Sequence, residues 1–371
     1  MRREKLLGNM TKARIIIGAN YGDEGKGTVA AHYTKNAEGR VLNVLTNGGA
    51  QRGHSILTEE GSITFQHFGS GTYHGADNYY SCYFILNPMQ FVGEYNELKV
   101  KPKNIYRDNT CRWTTPYDSL ANLIMQTLEK RQASCGMGIW NTIKRYKEIP
   151  CCTFNDFNKK SNIDKIDYLL LIRNYYAKFL TIPDNLKNVW NSLGLIQHFI
   201  DDCKKMYELT DVYKLEDIIP YYDEVIFENG QGLLLCDTGK DTYDTTPSNT
   251  GILYSLNLLK TIPEIDITAH YVTRPYLTRH GDGDINGTYE IENKHFISEG
   301  IQDDRTNHYN EFQGEFRYGF LKIEDLKERI LSDSRNIKFE LEVTHCDEMD
   351  RITEFNKHFN TVNTYDSALI K

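Results

Sequence analysis

Three consecutive isoleucines, Ile15-Ile16-Ile17, run straight into the turn Gly18-Ala19-Asn20-Tyr21-Gly22-Asp23-Glu24-Gly25-Lys26-Gly27. An unbroken apolar run has no polar face to offer to water, so it reads as a strand covered on both sides. The glycine-rich turn after it opens a helix over residues 26–35, making a strand–loop–helix unit. Such units pack as a parallel sheet with helical crossovers. Residues 41–45 (VLNVL) form a second buried strand, and it too ends in a glycine loop, residues 46–55 (TNGGAQRGHS).

Helix-spaced apolar residues recur over 119–131, 165–179, 194–207 and 321–331, and short apolar strands over 225–227, 267–272 and 338–343. This alternation predicts an α/β fold with a largely parallel central sheet flanked by helices, whose ligands gather at the carboxyl ends of the strands. There is no internal repeat or low-complexity linker, so residues 1–371 read as a single domain. The stretch 155–167, rich in Asn, Asp and Lys, reads as a surface insertion.

Composition excludes several functions. A net charge of -8 lacks the basic stripe that binding a nucleic-acid backbone needs, although small anions can still sit in local basic pockets. No apolar run reaches the length of a membrane span, and the head MRREKLLGNM lacks the apolar core of a signal peptide. The expected location is therefore cytoplasmic, with no membrane partner. The eight cysteines form no CxxC pair or zinc spacing and read as reduced thiols.

The glycine loop raises a chemical question. A phosphate-binding Walker loop needs Gly, four residues, then Gly-Lys-Ser/Thr; here Asn20 stands at the first glycine and Gly27 at the metal-binding hydroxyl. A helix start with converging N–H groups and Lys26 still makes an anion site. Asp23 and Glu24 would repel a bare phosphate there unless one of them holds Mg²⁺ or removes a proton during the reaction. A blander role for both is to cap the helix beginning near Lys26.

The wider pattern resembles the adenylosuccinate synthetase family. Gly22 to Gly27 (GDEGKG) and Gly53-His54-Ser55 fit that family's GxxWGDEGKGK and NAGHT loops. The resemblance continues in order: FQHFGSG at 65–71 with FHLIPSG, then ILNP at 85–88 with the strand-loop that follows. Pro116-Tyr117-Asp118 is similar to PYH, and SCGMGI at 134–139 to TTGRGIG. FENGQG at 227–232 is similar to FEGAQG, TPSNT at 246–250 to TSSNT, RPYLTRHG at 274–281 to KAYTTRVG, and THCD at 344–347 to TKLD.

That family joins the amino group of aspartate to C6 of inosine monophosphate while splitting GTP. The C6 oxygen of a 6-oxopurine is amide-like and leaves poorly, so it must first be phosphorylated. To attack the γ-phosphate, O6 must gain negative charge, which happens when a base takes the proton from N1. The resemblance makes Asp23 that base and a ligand of Mg²⁺, with the Gly53 carbonyl as a second ligand. It gives Lys26 and His54 the charge on the transferring group, and places Gly22, Glu24, Gly25 and Gly27 around GTP.

The purine nucleotide falls to Asp23, Gln51, Ser134, Cys135, Gln231 and Thr246, and Arg145 is the candidate arginine reaching the phosphate of a partner subunit, which implies a homodimer. Cys135 stands where the family has threonine, so a hydroxyl bond becomes a weak thiol contact or moves to Ser134. Asp347 matches the aspartate that reads guanine, since a carboxylate accepts from both N1–H and the 2-amino group. The family's C-terminal STGPDR loop is not recognisable in residues 360–371. Its arginine-rich aspartate loop, TTGRRRR, is reduced to FQGEFRYG at 312–319, leaving Gln313 and Arg317 for the aspartate substrate.

The resemblance thus implies a GTP-dependent C–N ligase acting on IMP and aspartate with Mg²⁺. Asp23 favours IMP, because viral relatives that use dGMP to make 2-aminoadenine nucleotides often carry a small residue there. The short chain and the altered aspartate loop favour the dGMP enzyme. A relative that binds nucleotide without catalysis would keep the same glycine loops, and a plain P-loop GTPase would need the Walker spacing that this loop lacks.

Overall fold

The computed structural model describes residues 10–129, 135–237, 245–281, 283–285, 290–291 and 314–367. Its central sheet contains Thr11–Gly18 (β1), Val41–Leu45 (β2), Asp77–Tyr80 (β3), Ile105–Arg107 (β4), Asp211–Val212 (β5), Glu224–Gly232 (β6), Ile265–Thr273 (β7), Phe339–Val343 (β8) and Val362–Thr364 (β9). They lie in the order β5-β4-β3-β2-β6-β1-β7-β8-β9, and every neighbouring pair is parallel. The α/β class and the largely parallel sheet expected from sequence are what the molecule has.

The isoleucine run shows why both faces are needed. Ile15 and Ile17 pack with Phe227, Tyr271 and Leu341 on one face, where helix Ile323–Ser334 adds Leu326 and Ile330. Ile16 points the other way, against Val29 and Ala30 of helix Lys26–Lys35 (α1), with Ile226 and Val272 beside it. The alternation follows from the two-residue period of a strand. Each fully enclosed isoleucine contributes roughly 1.5–3 kcal/mol as an upper figure, so truncating one of the three would weaken the centre of the sheet.

A helical layer forms the second core. Pro88–Glu97 (α2), Pro116–Glu129 (α3), Ile139–Glu148 (α4), Phe154–Lys159 (α5), Asn162–Ala177 (α6) and Leu193–Leu209 (α7) enclose Phe91, Trp113, Phe157, Leu169 and Phe199. The expected surface insertion at 155–167 is corrected: it is most of α5 and the start of α6, with Phe157 fully buried. Two hydroxyl residues start its helices, Thr153 just before the stretch and Ser161 within it. The Thr153 side chain accepts from Asp156 N and the Ser161 side chain from Asp164 N, satisfying helix-start N–H groups that would otherwise have no partner.

Among the described residues, no helix is long and apolar enough to cross a membrane.

Candidate active site

Five neighbouring strands, in the spatial order β2-β6-β1-β7-β8, deliver the candidate residues from their carboxyl ends. β2 leads to Gln51 and His54, β6 carries Glu228 and Gln231, and β1 leads to Asp23 and Lys26. β7 ends one residue before Arg274, and β8 one residue before Thr344. The carboxyl edge of a parallel sheet is where crossover loops gather, so residues far apart in sequence meet there.

In the first loop the two carboxylates have different surroundings. Glu24 is buried, and its Oε1 accepts from Asn20 N at 2.9 Å and Gly22 N at 2.7 Å, while Oε2 lies 3.4 Å from Lys26 Nζ. Lys26 Nζ in turn donates to the Gly22 carbonyl at 2.6 Å. Glu24 therefore staples the turn. Gly18 must be glycine, because a Cβ there would stand 2.5 Å from Glu24 Oε2 and 2.7 Å from the Gln231 carbonyl. The N-cap of helix α1 is Gly25, in the left-handed region at φ 90° and with no side-chain cap bond, so neither carboxylate holds that position.

Asp23 lines a cleft together with Gly22, Lys26, Gly27, Gly53, His54, Arg274 and Thr344. Burial pushes its carboxyl above the usual range and Glu24 adds to the rise, while His280, Lys26 and Arg274 oppose it. Its carbonyl accepts from Arg274 Nε at 2.8 Å. Gly27 has no room for the hydroxyl of a Walker loop, since a Cβ would come within 2.9 Å of the Ser55 carbonyl and 3.0 Å of Ser70 Oγ.

His54 is held by a buried carboxylate. Its Nδ1 is 2.5 Å from Glu228 Oε1, and Glu228 also accepts from Ser70 Oγ at 2.7 Å, Ser70 N at 2.9 Å and Asn43 Nδ2 at 2.9 Å. Arg52 completes the group 3.1 Å from Glu228 Oε1. Burial alone would raise Glu228, but Arg52 and the bonds from His54 and Ser70 outweigh it and hold it at about 2. Burial, reinforced by Arg52, takes His54 down to about 4 against the pull of Glu228. At neutral pH the imidazole is therefore uncharged. An ionised Glu228 can only accept, so Nδ1 carries the proton and Nε2 presents its lone pair.

A second cluster lies beside this cleft. Gln51 Nε2 donates to Thr246 Oγ1 at 2.9 Å, and the Gln51 and Gln231 amides both crowd Gly48, which adopts φ 70°. Gln231 itself has φ 56°, a left-handed conformation uncommon for a residue with a Cβ. Gly22 packs directly on the Gln231 backbone, so the two clusters share a wall. Gln51, Gln231 and Thr246, expected from sequence to form one binding set, are thus brought together. Cys135 is half-buried and its thiol is pushed up to about 11 by burial, so it is uncharged at neutral pH.

Other expected residues are placed differently. Arg145 is fully buried, donating to Asp118 at 2.8 and 3.0 Å and to the Trp113 carbonyl at 2.8 Å, with Tyr176 donating to the same carboxylate at 2.6 Å. The expectation that it reaches a partner subunit's phosphate is corrected: it is an internal strut between α3 and α4. Arg317 Nη2 donates to the Gly281 and Gly283 carbonyls, both at 2.6 Å, so it braces a loop where an aspartate ligand was expected. Asp347 is exposed and accepts from Ser367 N at 2.6 Å and from Ser367 Oγ, which brings Asp366 and Ser367 to the rim of the cleft. Ser134 and Gln313 lie outside the described residues.

Sequence alone assigns no role to Glu228 or Arg52, although Glu228 sits inside a family-like segment. A carboxylate directly after Val225-Ile226-Phe227 is a usable signal, because a charge in a strand buried on both faces needs a partner. A metal ion is implied by the resemblance, and the residues fit it. Asp23 and Gly53 line one cleft and offer a carboxylate and a backbone carbonyl, the hard oxygen donors that Mg²⁺ takes alongside phosphate oxygens.

Comparison with known proteins bears on the family and the fold. The family model described as adenylosuccinate synthetase matches residues 15–356. The adenylosuccinate synthetase of Blochmanniella pennsylvanica is 27% identical over 265 residues, 67% of this chain and 58% of that one. That of Crocosphaera subtropica is 24% identical over 279 residues, 72% of this chain and 61% of that one. The chain thus spans about three fifths of the length of the curated relatives it matches. Among solved structures, fully ligated adenylosuccinate synthetase from Plasmodium falciparum superposes with a TM-score of 0.70 at 18% identity, over 93% of this chain and 78% of that one. The succinoaminodeoxyadenylate synthetase of cyanophage S-2L, bound to dGMP and to dATP as an energy donor, gives 0.64 at 12% identity, over 96% of this chain and 92% of that one.

Proposed function

The chain belongs to the adenylosuccinate synthetase family, and on that basis we propose that it is a GTP-cleaving C–N ligase joining aspartate to C6 of IMP. Asp23 takes the proton from N1 of the purine, and the charge released moves to O6. O6 attacks the γ-phosphorus; the O6–P bond forms as the bond to the β-phosphate oxygen breaks, and GDP leaves. The aspartate amine then attacks C6, the C6–O6 bond breaks, and O6 departs within inorganic phosphate. The amine gives up a proton to water as adenylosuccinate forms.

The observation that carries this reading is the division of labour in the first loop. Glu24 is fully engaged in holding the turn, and Asp23 faces the cleft beside Lys26, Gly53 and His54. Helix α1 begins at the same cleft, so its N–H groups add to the attraction for phosphate. A desolvated Asp23 is a stronger base than a solvated one while it remains ionised. His54, neutral at rest, gains proton affinity when a polyanion stands at Nε2, and it then donates to the oxygen leaving with GDP. Bound Mg²⁺, held by Asp23 and the Gly53 carbonyl, would neutralise triphosphate charge.

Gln51, Gln231 and Thr246 hold the purine monophosphate in this reading, and Ser134 and Cys135 join them by resemblance alone. The choice of GTP rests on Asp347, whose carboxylate is shared with Ser367. A second reading, with dGMP as acceptor, is supported by the likeness to the cyanophage enzyme bound to dGMP and by Glu315, which stands near a family arginine in the altered aspartate loop.

A product assay by mass spectrometry separates these readings. Protein with Mg²⁺, aspartate and either GTP or dATP would be incubated with IMP, GMP, dGMP or no acceptor. Succinylated IMP formed with GTP is the expected product; succinylated dGMP would move the chain to the second reading, and no succinylated purine would sink both.

A further inference from the structure

Arg274 follows directly on β7 and lies in the wall of the cleft with Lys26, Gly27, His54 and Thr344. It is 2% exposed. Its Nε donates to the Asp23 carbonyl at 2.8 Å, and Nη1 donates to Tyr276 Oη at 3.3 Å. Tyr276 donates its own proton to Glu348, the residue after Asp347. One guanidinium therefore ties the loop bearing the candidate base to the loop bearing the candidate guanine reader.

A guanidinium keeps its charge at any working pH, and its planar fork can serve two acceptors at once. Lysine, which stands first in the family's KAYTTRVG segment, is a single point charge and lacks the fork. The cleft that Arg274 lines also holds an ammonium, an imidazole and the start of a helix, which favour a polyanion, beside the carboxylates of Asp23 and Asp366, whose charge a bound metal ion would offset. Resting on the reading of this cleft as the triphosphate site, we propose that Arg274 is a phosphate-contacting residue: it grips the Asp23 carbonyl with one edge and meets the transferring phosphoryl group with another. The base and the phosphate it works beside are then positioned by one side chain, and Tyr276 fixes its orientation.

The test compares parent, Arg274→Gln, Arg274→Lys and Tyr276→Phe. Affinities for GTP and GDP with Mg²⁺ and for IMP would be measured by calorimetry, beside steady-state turnover and thermal melting. Arg274→Gln is expected to lose about tenfold in GTP affinity while GDP and IMP affinities stay within about twofold, because only the γ-phosphate has lost a charged donor. Its turnover should fall about 10²-fold, as when one preorganised donor is removed from a transfer site. Arg274→Lys should recover the preference for GTP over GDP and leave turnover low, since it restores the charge without the grip on Asp23. Tyr276→Phe should lower turnover by less than Arg274→Gln.

An Arg274→Gln protein with the parent's GTP-to-GDP preference overturns the proposal. If that variant does not fold, Arg274→Lys decides: parent-like turnover would show that the fork is not needed. A parent protein that does not itself prefer GTP to GDP would instead sink the reading of the cleft, a separate failure visible before any variant is made.

Discussion

Asp23 and Glu24 are adjacent carboxylates with opposite assignments, and the difference is which groups each one faces. Asp23→Asn should abolish turnover, by about 10³-fold or more, while triphosphate affinity is largely kept; turnover near the parent's would remove Asp23 from the chemistry. Glu24→Gln should act on stability, because it removes an ionised acceptor from two buried loop N–H groups. A loss of about 1–3 kcal/mol in chemical denaturation is expected, and an unchanged midpoint would contradict the stapling role. The place of Asp23 at the cleft is legible from sequence because a carboxylate in a phosphate loop demands a chemical reason. Glu24 reads as a ligand contact because sequence shows neighbours along the chain, not which way each side chain turns.

Between elements, the helical layer is held by charges with no route to solvent. Arg145 joins α3 to α4 through Asp118, so Arg145→Ala should destabilise the fold by about 3–5 kcal/mol by leaving a buried carboxylate unpaired. Loss of nucleotide affinity without loss of stability would restore the expected phosphate role. Glu94, near the end of α2, accepts from Gln66, His67 and Phe68 N–H at 3.1, 2.6 and 3.1 Å, and so fixes the loop that presents Ser70 to Glu228. Burial pushes Glu94 up to about 7, only partly opposed by those N–H groups. A carboxyl raised on folding favours the folded state at low pH, and that contribution is lost as pH rises from its unfolded value through about 7. The melting temperature of Glu94→Gln should therefore fall less between pH 5 and pH 8 than the parent's, and parallel curves would contradict this. Strands read well from apolar runs such as Val225-Ile226-Phe227. Helix α5 and the start of α6 do not, because their N-caps, Thr153 and Ser161, are residue types that also mark loops.

Across the chain, the strand order does what no local pattern could announce. It sets β2, β6, β1, β7 and β8 side by side, so that Gln51, Gln231, Asp23, Arg274 and Thr344 meet along one edge. The order of motifs makes the family legible, and with it the expectation of a parallel sheet. The bracing of a loop by Arg317 and the sharing of Asp347 with Ser367 are not legible, because both depend on contacts across long stretches of chain. In the proposed mechanism, O6 of the purine is phosphorylated and then displaced by aspartate. Turnover of IMP labelled with ¹⁸O at C6, with GTP, aspartate and Mg²⁺, followed by mass analysis of the inorganic phosphate, reads that step itself. The label should appear in phosphate in proportion to the adenylosuccinate formed; GTP cleavage that leaves the phosphate unlabelled and the IMP intact would contradict the mechanism.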